Sequence, residues 1–510
     1  MSPHVRKVKT ASGATAVQIV DKRGGVRRIL AHLGSAHDEL ELAVLMAAAR
    51  ERLQAGQLAL DVGVEASGPE PGQIDAVVTG TASQVLWDVL GTAYQRLGFH
   101  QLGDEAFRTL VLARIVEPTS KAAVADLLAD LGVPAPHENT LYAALRRSAT
   151  RDYRDALARA CWEHSVRSAG GVAALVLYDV STLHFEIDVE DDLRRVGMSK
   201  ERRVDPQIQI GLLVDPTGFP LEVHCFEGNK AETLTLIPTL RAFQDRHQIR
   251  DLVVVADAGM LSAANLNALE DAGFGFIVGS RISKAPYDLA DHFQAHGDHF
   301  ADGQILESAR VMGTGTAARS RRIVYQYRFE RRKRDERAIN AMVEKAEKVA
   351  AGTRPLRKER FVAVRGAAKA VDWARVERAR QLAGLKGYVT NISTTTMTGA
   401  AVISAYHDLW QVEKSFRMAK SDLRARPIYH HKRDSIEAHL TIVFAALAIS
   451  RHLQAQTGVS IKKIVRTLRP LRTVQIRLAG QTITATPIIA PDARAILDQL
   501  PPITAPGPGH

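Results

Sequence analysis

The chain has 510 residues, room for about three domains at roughly 150 residues each. Apolar content of 46% with 24% charged residues is that of a folded globular protein and excludes general disorder. An excess of Lys and Arg (67) over Asp and Glu (56) favours a polyanionic partner, either nucleic acid or an anionic membrane face.

Along the chain, short extended segments around Val17 to Val20 lead into a helical pattern over Leu40 to Leu53, and "EASGPEPGQ" (65–73) breaks it as a linker would. From Ser83 to His164 the apolar spacing is helical. Within that region one helix starts after Pro118 and stops at Gly132, and a second starts near Glu138. The pair fits either an ordinary helical hairpin or a helix-turn-helix presenting Asn139, Tyr142, Arg146 and Arg147 to DNA.

From Val172 the pattern changes to strands. Segments 172–178, 207–214, 220–226, 252–256 and 274–278 read as five, with "DPTG" (215–218) as a tight turn and helices after the third and fourth. Three antiparallel strands, helix, strand, helix, strand is the order of a ribonuclease-H-like α/β core with a mixed five-stranded sheet. About a hundred residues of high charge follow, then an extended segment at 387–393 and a helix from near Thr398. The expected division is an N-terminal α/β arm and linker (1–75), a helical, candidate DNA-binding region (76–168), the core in two parts (169–283 and 387–450) around an insertion (284–386), and a basic C-terminal region (451–510).

Two of the strands deliver an acid just past their apolar run: Asp179 after "ALVL" and Asp257 after "LVVV". The late helix carries Ile403, Tyr406, Trp410, Glu413, Arg417 and Lys420 at steps of three and four, so an acid shares a stripe with apolar and basic residues. Taken alone, Glu413 reads as a rim carboxylate paired with Arg417; beside two strand-borne aspartates it reads as their third partner. Three gathered carboxylates repel by about 4 kcal/mol per pair at roughly 4 Å and an effective dielectric near 20. They call for hard cations, two Mg²⁺ or Mn²⁺ ions suited to phosphodiester chemistry.

Charge is uneven. Between Arg310 and Arg334 nine basic residues face one acid, Glu330, and further basic stretches follow at 417–433 and 462–477. These read as DNA-backbone contacts, Arg331 and Arg332 among them. In the loop "GMSKERR" (197–203), Lys200, Arg202 and Arg203 are candidate phosphate ligands. Asp188, Glu190, Asp191 and Asp192 read as surface acids, and Trp373 reads as a core indole. Two cysteines without a CxxC imply no disulfide framework, and the His430–His431 pair has no cysteine partners for zinc. No stretch reads as a membrane span or signal peptide, so a cytoplasmic, nucleoid-associated location without membrane is expected.

The stretches "FEGNKAET", "ADAGMLSAANL" and "LWQVEKSFRMAKSDLRARPIYHH" resemble a group of DDE-type bacterial insertion-sequence transposases marked by Tyr-x2-Arg-x3-Glu-x6-Lys. Here Tyr406, Glu413 and Lys420 match and Leu409 replaces the arginine, a cation that Arg417 would supply instead. The resemblance implies that Asp179, Asp257 and Glu413 are the metal-binding catalytic triad, that Tyr406 and Lys420 contact the DNA end, and that the insertion is largely β. It further implies cleavage at element ends, a hairpin at the excised end, strand transfer into target DNA, and a homodimer on paired ends. Two alternatives stay open from the residues: a transposase-derived DNA-binding protein without catalysis, and a nuclease that cuts without joining.

Overall fold

The computed structural model describes residues 4–9, 15–23, 26–36, scattered positions between 42 and 49, and 76–502 apart from short breaks at 122, 171–174, 187–188, 198–204, 232, 261, 356, 358, 366–367 and 479–480. Two compact units divide it at residues 75 and 76. In the first, strands β1 (His4–Lys9), β2 (Thr15–Arg23) and β3 (Val26–Ala36) form an antiparallel sheet, more strand than the expected segment at 17–20. Most of the expected helix at 40–53 lies outside the described residues.

The second unit opens with strand β4 (Ala76–Ala82) and helices α1 (Gln84–Arg96), α2 (Glu105–Val116), α3 (Val124–Asp130), α4 (Glu138–Thr150) and α5 (Tyr153–Ala169). Side chains set several of these starts: Asp104 accepts the Phe107 amide at 3.0 Å to begin α2, and Gly132, at φ +73°, closes α3 in the left-handed conformation that an L-residue resists.

Next come strands β5 (Leu175–His184), β6 (Gln207–Val214) and β7 (Pro220–Glu227), helix α6 (Thr233–His247), strand β8 (Val253–Ala256), helix α7 (Ala263–Asp271) and strand β9 (Gly275–Ser280). Then follow β10 (Ile305–Met312), β11 (Arg319–Tyr327), helix α8 (Phe329–Ala350), β12 (Val362–Arg365), β13 (Ala368–Val371), helix α9 (Trp373–Gln381) and β14 (Leu385–Thr390). All five expected strands are present, but the sheet has eight, in the order β10-β11-β14-β9-β8-β5-β6-β7. Only β5 with β8 and β8 with β9 are parallel. The extra strands went unseen because β11, "RSRRIVYQY", reads as a basic run. Its arginines are neutralised by neighbours: Arg319 and Arg321 by Glu270 of α7, and Arg322 by Glu307 of β10. Thus two strands of the expected insertion continue the main sheet, while α8, α9 and the β12–β13 hairpin enclose a small separate core around Ile339, Phe361 and Val376.

The long late helix is broken in two. Helix α10 (Gly399–His407) ends where Asp408 and Leu409 form a turn, and α11 (Trp410–Arg417) restarts with tight bonds from the Gln411 amide to Asp408 O and the Val412 amide to Leu409 O. Residues Met418–Asp422 form a π turn, an irregularity often found at functional positions. Helix α12 (Arg433–Thr457) follows, then α13 (Ile461–Leu468), β15 (Thr473–Leu478) and β16 (Gln481–Ala485).

Contrary to the sequence expectation, α12 is long and apolar enough to cross a membrane, with a mean hydropathy of 1.3 over its most apolar window. It is instead the central core helix, 94% of that window being buried against α1, α2, α4, α5 and β7. The N-terminal helices and the sheet therefore share one continuous hydrophobic core, and β15 pairs with β4 to tie the C-terminal region to the start of the unit. The cysteines Cys161 and Cys225 are free.

Candidate functional site

Asp179 lies in the middle of β5 rather than at its end. The apolar run Leu175–Leu177 pairs in parallel with Val253–Val255, and β5 then continues to His184 against β6 alone, with Asp179 opposite Leu212. The register that pairs Leu177 with Val255 brings Asp179 level with Asp257, which immediately follows β8. Neighbouring strands lie about 4.8 Å apart, so the sheet itself sets the two aspartates side by side. Asp257 is exposed, and its Oδ1 accepts the Ala258 amide at 2.5 Å.

Glu413, exposed on α11, completes the set: all three carboxylates line one cavity of about 430 Å³. They surround it without converging, since no three potential ligand side chains among the described residues form a ready-made metal cage. The donors are hard carboxylate oxygens on a shared void, a set that fits Mg²⁺ or Mn²⁺ rather than a softer metal.

Four cations face the same cavity: Arg328, Arg331 and Arg334 from the start of α8, and Lys386 from β14. Burial, then the nearby Arg331, lowers the Lys386 pKa, while Asp257 pulls it the other way. The Lys386 ammonium sits 5.1 Å from the centroid of the Tyr406 ring, which in turn packs 4.8 Å from Tyr388. Burial and then the Asp257 charge hold the Tyr406 hydroxyl far above the usual phenol range, so it stays protonated beside Asp257.

Gly279 of β9 makes room for that phenol. A Cβ there would lie 2.7 Å from the Tyr406 hydroxyl and 3.0 Å from Cβ of Ala258. Gly279→Ala is expected to displace the phenol from Asp257 and lower activity at least as much as Tyr406→Phe, with the melting temperature shifted by only a few degrees. Kinetics and thermal unfolding of both variants check this; wild-type activity in Gly279→Ala would show that the phenol needs no such room.

The remaining sequence candidates separate. Lys420, in the π turn, donates to Ser181 Oγ at 2.6 Å and so ties the helical arm to β5 two residues beyond Asp179. Arg417 is exposed and is not among the residues lining the cavity. Leu409, at the helix break, does line it, and the cations that face the cavity come from α8 and β14 rather than from Arg417. Arg332 turns away from the cavity to Glu336 at 2.8 Å and Asp298 at 3.4 Å, so of the expected pair only Arg331 faces it. Lys200, Arg202 and Arg203 lie outside the described residues.

Trp373 is 55% exposed at the start of α9, which overturns its reading as a core indole; Trp410, 51% exposed, lines the cavity beside Glu413. In the helical pair, Asn139, Tyr142 and Arg146 are exposed on α4, but Arg147 is held by Asp104 at 2.7 Å. Arg328 and Arg334 belong to the basic run already read as DNA-facing, and their spacing by threes with Arg331 was the signal that these members share a face. Sequence reasoning missed Lys386 and Gly279, and nothing local marked either.

Among solved structures the chain is similar to the piggyBac transposase in a cryo-EM structure of its synaptic complex with hairpin DNA, at 10% identity over 76% of each chain and a TM-score of 0.37. No curated protein matches it. Residues 184–449 match the family model described as the transposase DDE domain, a span that includes Asp257 and Glu413 and begins five residues after Asp179. That match covers more than half of the sequence, and the chain belongs to the DDE transposase family.

Proposed function

We propose that the protein cuts DNA at the ends of a mobile element and joins the freed 3′-hydroxyl to target DNA, using a ribonuclease-H-like core. The observation that carries this is the shared cavity of Asp179, Asp257 and Glu413 beneath a rim of arginines. The three carboxylates would hold two divalent ions, Mg²⁺ or Mn²⁺, which when bound activate an attacking oxygen and stabilise the leaving oxygen of a phosphodiester.

The chain's own residues do the rest. Arg328, Arg331, Arg334 and Lys386 offset the charge of the phosphates that must approach three carboxylates. Tyr406 keeps a protonated phenol next to Asp257, and Trp410 presents an exposed aromatic face at the rim. Water is the first nucleophile and the 3′-hydroxyl the second, with no covalent enzyme intermediate. A hairpin at the excised end and a homodimer on paired ends belong to the same reading.

Incubation with labelled DNA carrying the element's ends, in Mg²⁺ or EDTA, tests it. Nicked and joined products in Mg²⁺ alone are expected. Binding without cleavage would leave a DNA-binding protein, and cleavage without joined product a nuclease. A second measurement concerns the rim: neutralising Arg328, Arg331 and Arg334 together should reduce the salt slope of DNA binding by about 0.9 for each duplex phosphate that no longer meets a cation. An unchanged slope would remove them from the DNA path.

A further inference from the structure

A second cluster of charge lies outside the carboxylate cavity, where α2, the segment before α3, the 424–431 loop and α12 meet. Arg114 of α2 places Nη2 3.2 Å from Nδ1 of His439 and donates to the carbonyl of Arg424 at 3.2 Å. Lys121 Nζ lies 3.1 Å from Nε2 of His430. The four side chains line one small cavity. His439 is buried, and Arg114, Lys121 and His430 are each partly exposed to solvent.

What the cluster lacks is an anion. Among the described residues no carboxylate pairs with Arg114 or Lys121. Glu117, the one acid lining the cavity, is engaged by Arg469 at 2.9 Å. Arg114 Nε is buried with no hydrogen-bond partner. Buried or half-buried cations without a counter-charge are costly and in folded proteins are almost always paired. The local field agrees with the geometry. Burial, then Arg114, pushes the Lys121 ammonium down to about 8, and burial, then Lys121 and Arg114, pushes the His430 imidazole down to about 4.

We propose that Arg114, Lys121 and His430 form a phosphate-oxyanion site. The guanidinium supplies a planar donor with a free Nε–H, the ammonium a point charge, and the neutral imidazole a further donor. The chemistry fits a backbone phosphate of a bound DNA strand or a free phosphate ion alike. The site stands whether or not the carboxylate cavity cuts DNA.

The test uses the full-length protein, wild type and Lys121→Met, in thermal unfolding with inorganic phosphate, with a random-sequence duplex, and with chloride at matched ionic strength. Wild type should melt higher with the occupying ligand than in chloride, and Lys121→Met should lose that increment. Without ligand the variant should melt no lower than wild type, because an unpaired cation has been removed; a lysine serving only the fold would give a drop. Lys121→Arg should keep the ligand-dependent shift.

Loss of the duplex increment alone assigns the site to a DNA strand, with affinity down about fivefold and the salt slope reduced by about 0.9. Loss of the inorganic phosphate increment as well assigns it to a free oxyanion. Equal increments in wild type and Lys121→Met, or none in wild type, would overturn the proposal. Glu413→Gln should retain both increments, which separates this result from any failure of cleavage.

Discussion

Glu413→Gln is expected to reduce DNA cleavage and strand transfer by at least about a hundredfold while leaving binding to element ends nearly intact. The amide keeps the size of the side chain and its place on α11 but removes one of three negative charges around the cavity. Weakening a phosphoryl-transfer metal site costs several kcal/mol of transition-state stabilisation, and each ~1.4 kcal/mol is tenfold in rate. Folding should survive: an exposed carboxylate is replaced and repulsion among the metal-free acids falls. Cleavage and joining across a range of Mg²⁺ and Mn²⁺, beside a gel shift on the same DNA, measure both effects. Cleavage at the wild-type rate would exclude Glu413 from the chemistry.

The largest effect on stability is expected at Glu270→Ala. Arg321 of β11 has a fully buried side chain, donates to Glu270 at 2.9 and 3.1 Å, and leans over the Phe276 ring. Its other partner, Asn267, accepts a hydrogen bond at 2.5 Å but carries no charge. Removing Glu270 leaves a buried guanidinium without a counter-ion, which costs about 3 to 5 kcal/mol. Arg319→Ala is the control. That arginine is 36% exposed and shares Glu270 and Asp271, so its loss should cost far less than that of Glu270. Denaturant unfolding of both variants, and of Glu270→Leu combined with Arg321→Met, decides the matter. The double variant should recover most of the loss, and an Arg319→Ala cost as large as that of Glu270→Ala would sink the argument.

The same arginines explain what could and could not be read in advance. Asp179 and Asp257 were legible because each follows an unbroken apolar run, the signature of a strand buried on both faces. Strand β11 was not, because its charges are cancelled by Glu270 and Asp271, which are remote in sequence, and by Glu307 on the neighbouring strand β10. A charge run on one line of text is a surface feature only if no acid returns to it in space. The stripe from Ile403 to Lys420 correctly grouped Tyr406 with Glu413, but the turn at Asp408 and Leu409 and the π turn after Arg417 took Arg417 and Lys420 out of the cavity lining. The helical region before residue 169 resembled a separable module because its periodicity is self-consistent. Its apolar faces are covered by α12, which begins 264 residues after α5 ends and which no local pattern could announce.

The level placement of Asp179 and Asp257 makes the site indifferent to one kind of change and intolerant of another. The strand pairing, not the 77 residues between them, holds these carboxylates abreast. Lengthening the β7–α6 turn or the α6–β8 connection should leave their separation as it is. Deleting a single residue within Val253–Ala256 would move the later side chains to the opposite face of the sheet. Drift in length between the two acids is therefore nearly silent, while a one-residue slip of a four-residue strand would dismantle the pair.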